Sequence, residues 1–201
     1  MDAASTGLDF TWGIAKVVWP PVVAEWQRNS SLCIRLAEEL SGLSREDIAE
    51  RLETHHDLVP LMARILFAAG TRHSDEILKA LSAVLADALV NPHKVDDAQV
   101  YVNLLERLGA HHVHLLRRAE LLMVELPRFG ATDLYQGSGI SEAMGRICLN
   151  DLVQADLLTD ARTHVQAVSL SNAPMYELTG SGRLVLEVLA RVKYRRSGGH
   201  K

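Results

Sequence analysis

The residues best suited to chemistry are histidines, of which the chain has nine. His111 and His114 stand three positions apart, a spacing that can place two zinc ligands on one side of a helix. Neither an H-E-x-x-H pattern nor a pair of C-x-x-C motifs accompanies them. We therefore predict no metal site and interpret His112, which falls on an apolar stripe, as a hydrogen-bonded core or interface residue.

Other catalytic patterns are no better represented. His55, His56 and Asp57 contain the His-Asp pair of helical metal phosphohydrolases, but the upstream histidine that such an enzyme needs is missing, since none precedes His55. The glycines of GATDLYQGSG and TGSG do not follow a phosphate-binding pattern, and no G-x-S-x-G motif is present. We therefore predict a protein that is not an enzyme and has no cofactor, with a metal-dependent hydrolase as a remote alternative.

The composition fits one medium domain or two small ones. With 201 residues, 48% of them hydrophobic, the chain can bury a core, and its net charge of −4 excludes a wholly basic nucleic-acid coat. Cys33 and Cys148 lie far apart in apolar helical contexts, which is typical of reduced core residues. No secretion signal opens the sequence. We therefore predict a cytoplasmic protein.

The elements are predicted to be mostly helical and to be arranged around residues 97–126. This stretch predicts one long amphipathic spine helix, capped by Asp96 and Gln99, with Gly109 at a close crossing or a slight kink. Its apolar positions follow a spacing of three and four: Tyr101, Leu105, Leu108, Leu115, Ala119, Leu122 and Leu126.

Four shorter helices are predicted before the spine. They cover residues 32–40, 44–56, 57–69 and 75–89, after a cap or turn at residues 29–31. Ser44 and Asp47 have the spacing of a capping box. Short connections favour an antiparallel bundle. The last helix should turn six apolar side chains inward: Ile77, Leu78, Leu81, Val84, Leu85 and Leu89.

The N-terminal segment holds all three tryptophans. Trp12, Trp19 and Trp26 follow one another at seven-residue intervals, while Pro20 and Pro21 should break or kink a helix between the second and the third. The apolar run is too short to span a membrane. We predict that the tryptophans bind a partner as a docking segment or interfacial anchor; the alternative is that they pack on the helical core or on a second copy of the chain.

The composition and periodicity of the sequence change after the spine. A linker is predicted at 127–139, then a helix over 140–158, a strand over 164–170, a turn, a strand over 175–178 and a final helix. This order is that of a small winged-helix-like α+β module. The predicted domains are a docking segment (1–30), a helical bundle (31–126), the linker (127–139), the winged module (140–196) and a disordered tail (197–201).

A resemblance to a known family rests on two stretches. MYELTGSGRLVLEVL resembles the end of many bacterial winged-helix proteins, and the bundle helix LLERLGAHHVHLL followed by a degenerate winged helix is similar to bacterial Abi-alpha proteins of the abortive-infection group. The resemblance could cover residues 45–192. It implies this architecture and a link to phage defence, and it implies no catalytic residue.

DNA binding is the alternative function. A recognition helix at 140–158 would offer Arg146, Asn150 and Gln154, but residues 138–190 carry three basic against six acidic side chains. The basic residues concentrate in the tail: Arg191, Lys193, Arg195, Arg196 and Lys201. Such a tail gives weak, salt-dependent binding. The sequence therefore favours a homodimeric protein-interaction and oligomerisation module over a winged-helix DNA-binding transcriptional regulator.

Overall fold

The computed structural model describes residues 5–72, 74–126, 128–161 and 174–194, with side chains described from residue 20 to residue 191 of these ranges. The described chain is mostly helical and has a small antiparallel sheet near its C-terminal end, as predicted. The helices are α1 (Ser5–Ser41), α2 (Arg45–Thr54), α3 (Leu58–Gly70), α4 (Asp75–Val90), α5 (Val95–Leu105), α6 (Ala110–Leu122), α7 (Ala131–Tyr135), α8 (Glu142–Gln154) and α9 (Gly180–Tyr194). The strands are β1 (Phe129–Gly130), β2 (Leu158–Asp160) and β3 (Met175–Leu178). The chain divides into two compact units, Met1–Val95 and Asp96–Lys201.

The centre of the first unit is α4. Every residue from position 80 to position 86 is buried, so this helix has no solvent-facing side there. All six side chains predicted to face inward are buried. Helices α1 and α3 pack against α4 and against each other. The nearly continuous apolar composition of α4 therefore reflects a helix that is covered on all sides.

Hydrogen bonds at helix ends hold α2 in this unit. Ser44 and Asp47 form the predicted capping box: the Asp47 N–H donates to Ser44 Oγ at 3.1 Å, and the Ser44 N–H donates to Asp47 Oδ2 at 2.9 Å. The Ser44 N–H, and to a lesser extent the Ser44 side chain, stabilise the carboxylate and lower the pKa of Asp47. In the last turn of α2, Arg51 Nη1 donates to the Leu89 carbonyl at 2.6 Å, near the C-terminus of α4. The cation there complements the helix dipole.

Of the break or kink predicted at Pro20 and Pro21, the break was wrong. Helix α1 continues through both prolines, and both are exposed, where lost backbone hydrogen bonds cost least. Residues 29–31 are not a cap or turn either. Asn29 Nδ2 donates to the Arg72 carbonyl at 2.9 Å and Ser30 Oγ to the Leu66 carbonyl at 3.1 Å, so these buried polar side chains fix α1 against the α3 region. The boundary predicted at residue 30 lies inside α1.

The prediction of a single spine helix over 97–126 was also wrong. Helix α5 ends at Leu105 and α6 begins at Ala110. Between them the Leu108 N–H donates back only three residues, to the Leu105 carbonyl at 3.2 Å, and Gly109 is extended at φ −111° and ψ 176°. The Gly109 N–H donates to His112 Nδ1 at 2.9 Å, which caps the new helix. Gly109 is therefore neither a crossing nor a kink; it separates two helices.

The stretch predicted as a linker, 127–139, instead contains β1 and α7. Two of its side chains, Phe129 and Leu134, are completely buried, and this burial makes the stretch part of the second unit's core. The strand predicted at 164–170 and the tail predicted at 197–201 lie outside the described residues. The strand at 175–178 and the final helix are confirmed as β3 and α9.

The sheet of the second unit places β3 between β1 and β2. Both pairings are antiparallel, with Phe129 opposite Tyr176 and Leu158 opposite Leu178. Helix α8 lies between β1 and β2 in the chain and packs against α6, α7 and β2. The sheet and α6 thus fix one side of α8 and leave its opposite side free of these elements.

Candidate functional site

A histidine and an aspartate join α6 to α8. His112 is the third residue of α6, and only 15% of its side chain is exposed. Its Nδ1 accepts the Gly109 N–H at 2.9 Å, so the neutral ring carries its proton on Nε2, which lies 3.3 Å from Asp151 Oδ2. The interpretation of His112 as a hydrogen-bonded residue is confirmed. Because both ring nitrogens are engaged, this histidine serves as a bridge between helices and not as a free base.

A cavity of about 400 Å³ lies beside this bridge. Arg107, Gln154 and Ala155 line it together with His112 and Asp151. No group of three or more His, Cys, Asp or Glu side chains is placed to hold a metal ion anywhere in the described part of the chain. His111 and His114 are exposed on the surface of α6. This arrangement provides a fixed contact between two helices with a cavity of mixed polarity next to it.

Helix α8 exposes two large apolar side chains among polar ones. Gly145, Cys148, Leu149 and Leu152 form its buried face. Met144 and Ile147, three positions apart, are 41% and 57% exposed. Residues with this spacing are neighbours on a helix, so they form one apolar surface that we call the α8 patch (Met144 and Ile147).

The three residues predicted to bind nucleic acid on α8 are exposed, but the structure does not bring them to one site. Arg146 Nη2 donates to Glu142 Oε1 at 2.5 Å, so its charge is compensated within the helix. Arg146 and Asn150 line a cleft of about 600 Å³, together with Tyr135. Gln154 instead lines the cavity next to His112.

The predicted tail residues are only partly described. Arg191 is exposed near the end of α9. Lys193 belongs to α9, but its side chain lies outside the described residues, as do Arg195 and Arg196 altogether. The positive charge of the tail is therefore known from the sequence alone.

The tryptophans of the N-terminal segment all fall within α1. The backbone at Trp12 and Trp19 is helical, and their side chains lie outside the described residues. Trp26 is described, and its indole covers Gly70, the last residue of α3; a Cβ at Gly70 would overlap the ring. Trp26 therefore marks the level along α1 at which α3 ends.

Both cysteines are buried and reduced. Burial raises the pKa of Cys33 to about 11, and a hydrogen bond with Ser82 offsets part of this effect. Burial also raises the pKa of Cys148, helped by the negative charge of nearby Asp151. Neutral, inaccessible thiols are poor nucleophiles, and neither cysteine is a catalytic candidate.

Comparison with known proteins adds no relative. A scan against protein families, a search of curated proteins and a search of solved structures each found no match. Among the described residues, no helix is long and apolar enough to cross a membrane. The geometry of the chain itself therefore carries the functional argument.

Sequence reasoning missed two features of this region. No separate signal in the sequence marked the α8 patch, because apolar residues on a helix are typical of its buried side; here Cys148, Leu149 and Leu152 define that side. The contact between His112 and Asp151 joins residues 39 positions apart, and no local signal predicts such a pair.

Proposed function

We propose that the chain is a non-enzymatic protein-interaction and oligomerisation module whose second unit is a winged helix. The order α6, β1, α7, α8, β2, β3, α9 and the sheet order β1-β3-β2 support the winged-helix assignment. In this fold α8 takes the position of the recognition helix. We therefore expect the outer surface of α8 to be the binding surface.

One observation carries the proposal: the outer side of α8 has the chemistry of a protein contact. A helix that reads DNA presents cations and amides to phosphates and base edges. Here the α8 patch is apolar, Arg146 is paired with Glu142, and Asp151 adds a negative charge. Apolar side chains with a polar rim are what a partner protein covers.

The alternative is a DNA-binding regulator. It is favoured by the same fold, by exposed Asn150 and Gln154, and by the five positive charges of the tail. The six acidic against three basic side chains of residues 138–190 oppose it, because they repel phosphate close to α8. Any contact with DNA should then come from the tail and not from α8.

The test is fluorescence anisotropy with a labelled mixed-sequence DNA duplex at low and at physiological salt. Three proteins are compared: the full chain, Asn150→Ala, and a variant with Lys193, Arg195, Arg196 and Lys201 changed to Gln. We expect weak binding that physiological salt and the tail variant abolish and that Asn150→Ala leaves unchanged. Binding that survives physiological salt and is lost in Asn150→Ala would replace our proposal with the DNA-binding alternative.

The resemblance to Abi-alpha proteins extends the proposal to phage defence in the bacterial cytoplasm. Its test is the efficiency of phage plating on a host that expresses either the natural chain or Ile147→Asp. This substitution puts a charge in the α8 patch at an exposed position, so it should leave the fold intact and abolish protection. Val100→Asp, at an apolar position of α5 that is exposed to the same extent (57%), is the matched control. If Ile147→Asp protects the host as well as the natural chain does, the α8 patch has no role in defence.

A further inference from the structure

The cavity beside the contact between His112 and Asp151 carries opposite charges that do not neutralise each other. Arg107 and Asp151 both line this cavity of about 400 Å³ in the second unit, and the described chain contains no ion pair between them. Among the described residues, the Arg107 guanidinium and the Gln154 side-chain amide also have no hydrogen-bond partner. Asp151 uses Oδ2 for the bond with His112, which leaves Oδ1 as an acceptor. The cavity wall therefore holds a cation, an anion and an amide with unused hydrogen-bonding capacity.

Two separate elements place these groups around the cavity. Arg107 lies in the connection from α5 to α6, where His112 caps the second helix through the Gly109 N–H. Asp151 and Gln154 stand three positions apart in α8, so they are neighbours on one face of that helix. His112 also holds the Asp151 carboxylate in position. Groups that the fold has already placed lose less freedom when a ligand binds, which favours binding.

The rest of the cavity lining is apolar and buried. Leu108 is 2% exposed and Ala155 is 9% exposed. Small-molecule sites in proteins have volumes of roughly 300–1,000 Å³ and combine an apolar lining with a few placed polar groups. A charge held beside a buried apolar wall is also screened less by water than a charge on an open surface. The size and the lining of this cavity thus suit a small molecule that has both charged and apolar parts.

We infer that this cavity binds a free α-amino acid with an apolar side chain. The ligand carboxylate accepts hydrogen bonds from the Arg107 guanidinium, whose planar fork matches a carboxylate with two parallel bonds. The ligand ammonium donates to Asp151 Oδ1, and the ligand side chain contacts Leu108 and Ala155. A zwitterion neutralises both charges at once, whereas a simple anion is repelled by Asp151 and a simple cation by Arg107. This inference goes beyond the protein contact proposed for α8 and does not depend on it.

The first test is thermal unfolding of the full chain in the presence of each of the common L-amino acids at millimolar concentration. A ligand that binds only the folded state raises the unfolding temperature. Titration calorimetry then gives the dissociation constant of the amino acid with the largest shift, and we expect an apolar one. If no amino acid shifts the unfolding temperature or releases heat on titration, the inference is wrong.

The second test compares that amino acid with two of its derivatives by calorimetry. Its amide lacks the carboxylate that Arg107 binds, and its N-acetyl form lacks the ammonium that Asp151 binds. Each derivative should bind about tenfold more weakly or worse, because each loses a charge-assisted hydrogen bond. An N-acetyl form that binds as well as the amino acid reveals a site for anions, and an equally good amide reveals a site for cations. Either result overturns the zwitterion as ligand.

The third test assigns each ligand group to its residue. Arg107→Gln should weaken binding of the amino acid about tenfold and leave binding of the amide unchanged, because the amide does not use the guanidinium. Asp151→Asn should likewise weaken the amino acid and spare the N-acetyl form. Arg183→Gln and Glu187→Gln, both exposed on α9 and outside the cavity lining, are the matched controls and should bind as the natural chain does. Circular dichroism establishes that all four variants fold. If Arg107→Gln weakens the amino acid and its amide to the same extent, the proposed contact with the carboxylate is refuted.

Discussion

At the scale of single residues, the His112 side chain has two roles: it caps the start of α6 and it links α6 to α8. Its ring offers an acceptor to the Gly109 N–H and a donor to Asp151 at the same time. An ionised aspartate would accept the backbone N–H but could not also donate a hydrogen bond to a carboxylate on α8. The identity of this residue therefore reflects the position of α8 as well as the start of α6.

We expect His112→Ala to lower the free energy of unfolding by about 1–2 kcal/mol, since it removes the cap and the bridge together. Asp151→Asn keeps an acceptor oxygen and should cost less. The measurement is urea unfolding followed by circular dichroism. His111→Ala, at the exposed neighbouring position, is the control and should have little effect. Equal stability of the two alanine variants would show that the bridge contributes nothing.

The buried thiol of Cys33 makes stability depend on alkaline pH. Its pKa rises from 9.0 to about 11 on folding, so its contribution to stability is complete below pH 9 and is lost as the pH rises from 9 to 11. Two units of pKa correspond to roughly 2–3 kcal/mol. The free energy of unfolding of the natural chain should therefore fall more steeply over this range than that of Cys33→Ala. Parallel pH profiles for the two proteins would contradict this prediction.

At the scale of elements, the junction of β3 and α9 is fixed by its glycine and threonine. Thr179 Oγ1 accepts the Gly182 N–H at 3.0 Å and donates to the Asp156 carbonyl at 2.6 Å. A Cβ at Gly182 would overlap the carbonyl oxygen of Leu157 and crowd Leu178. The T-G-S-G sequence thus makes a close contact between the start of α9 and the connection from α8 to β2, with no phosphate-binding role required.

Gly182→Ala should destabilise the fold by about 2–3 kcal/mol, because the obstructing atom is backbone and cannot move away as a side chain can. Gly180→Ala, two residues earlier in the same helix, meets nothing within 4 Å and should be neutral or slightly stabilising. Thermal unfolding of both variants measures the difference. A neutral Gly182→Ala would mean that α9 can shift away from Leu157.

At the scale of the whole molecule, charge is distributed very unevenly. The net charge of −4 includes +5 in residues 191–201, which leaves −9 for residues 1–190. Most of the chain therefore repels nucleic acid, while its end attracts it. Because of this uneven charge, we assign weak DNA binding to the tail.

We expect DNA binding by the full chain to weaken with salt along a slope of at most about 4.5 in log–log form, because no more than five phosphates can be neutralised. The measurement is a salt titration of the dissociation constant. A substantially steeper slope would require cations outside the tail to contact DNA. Loss of binding on neutralising the tail should be complete.

The sequence by itself determined the elements with strong local signals. The capping box of Ser44 and Asp47, the inward side of α4, the strand β3 and the helix α9 follow from spacing and caps that involve neighbouring residues only. Local signals also placed Arg146, Asn150 and Gln154 on one exposed helix. They succeed because helix periodicity and capping are decided within a few positions of the chain.

Only the tertiary structure decided the features that depend on distant residues. It divided the predicted spine at Gly109, where the His112 cap competes with helix continuation, and it carried α1 through two exposed prolines that packing of the remaining helix tolerates. It separated Gln154 from Arg146 and paired His112 with Asp151. The physical reason is that burial and pairing energies are summed over contacts between elements, and these sums outweigh local propensities of about 1 kcal/mol for a glycine and about 3 kcal/mol for a proline in a helix.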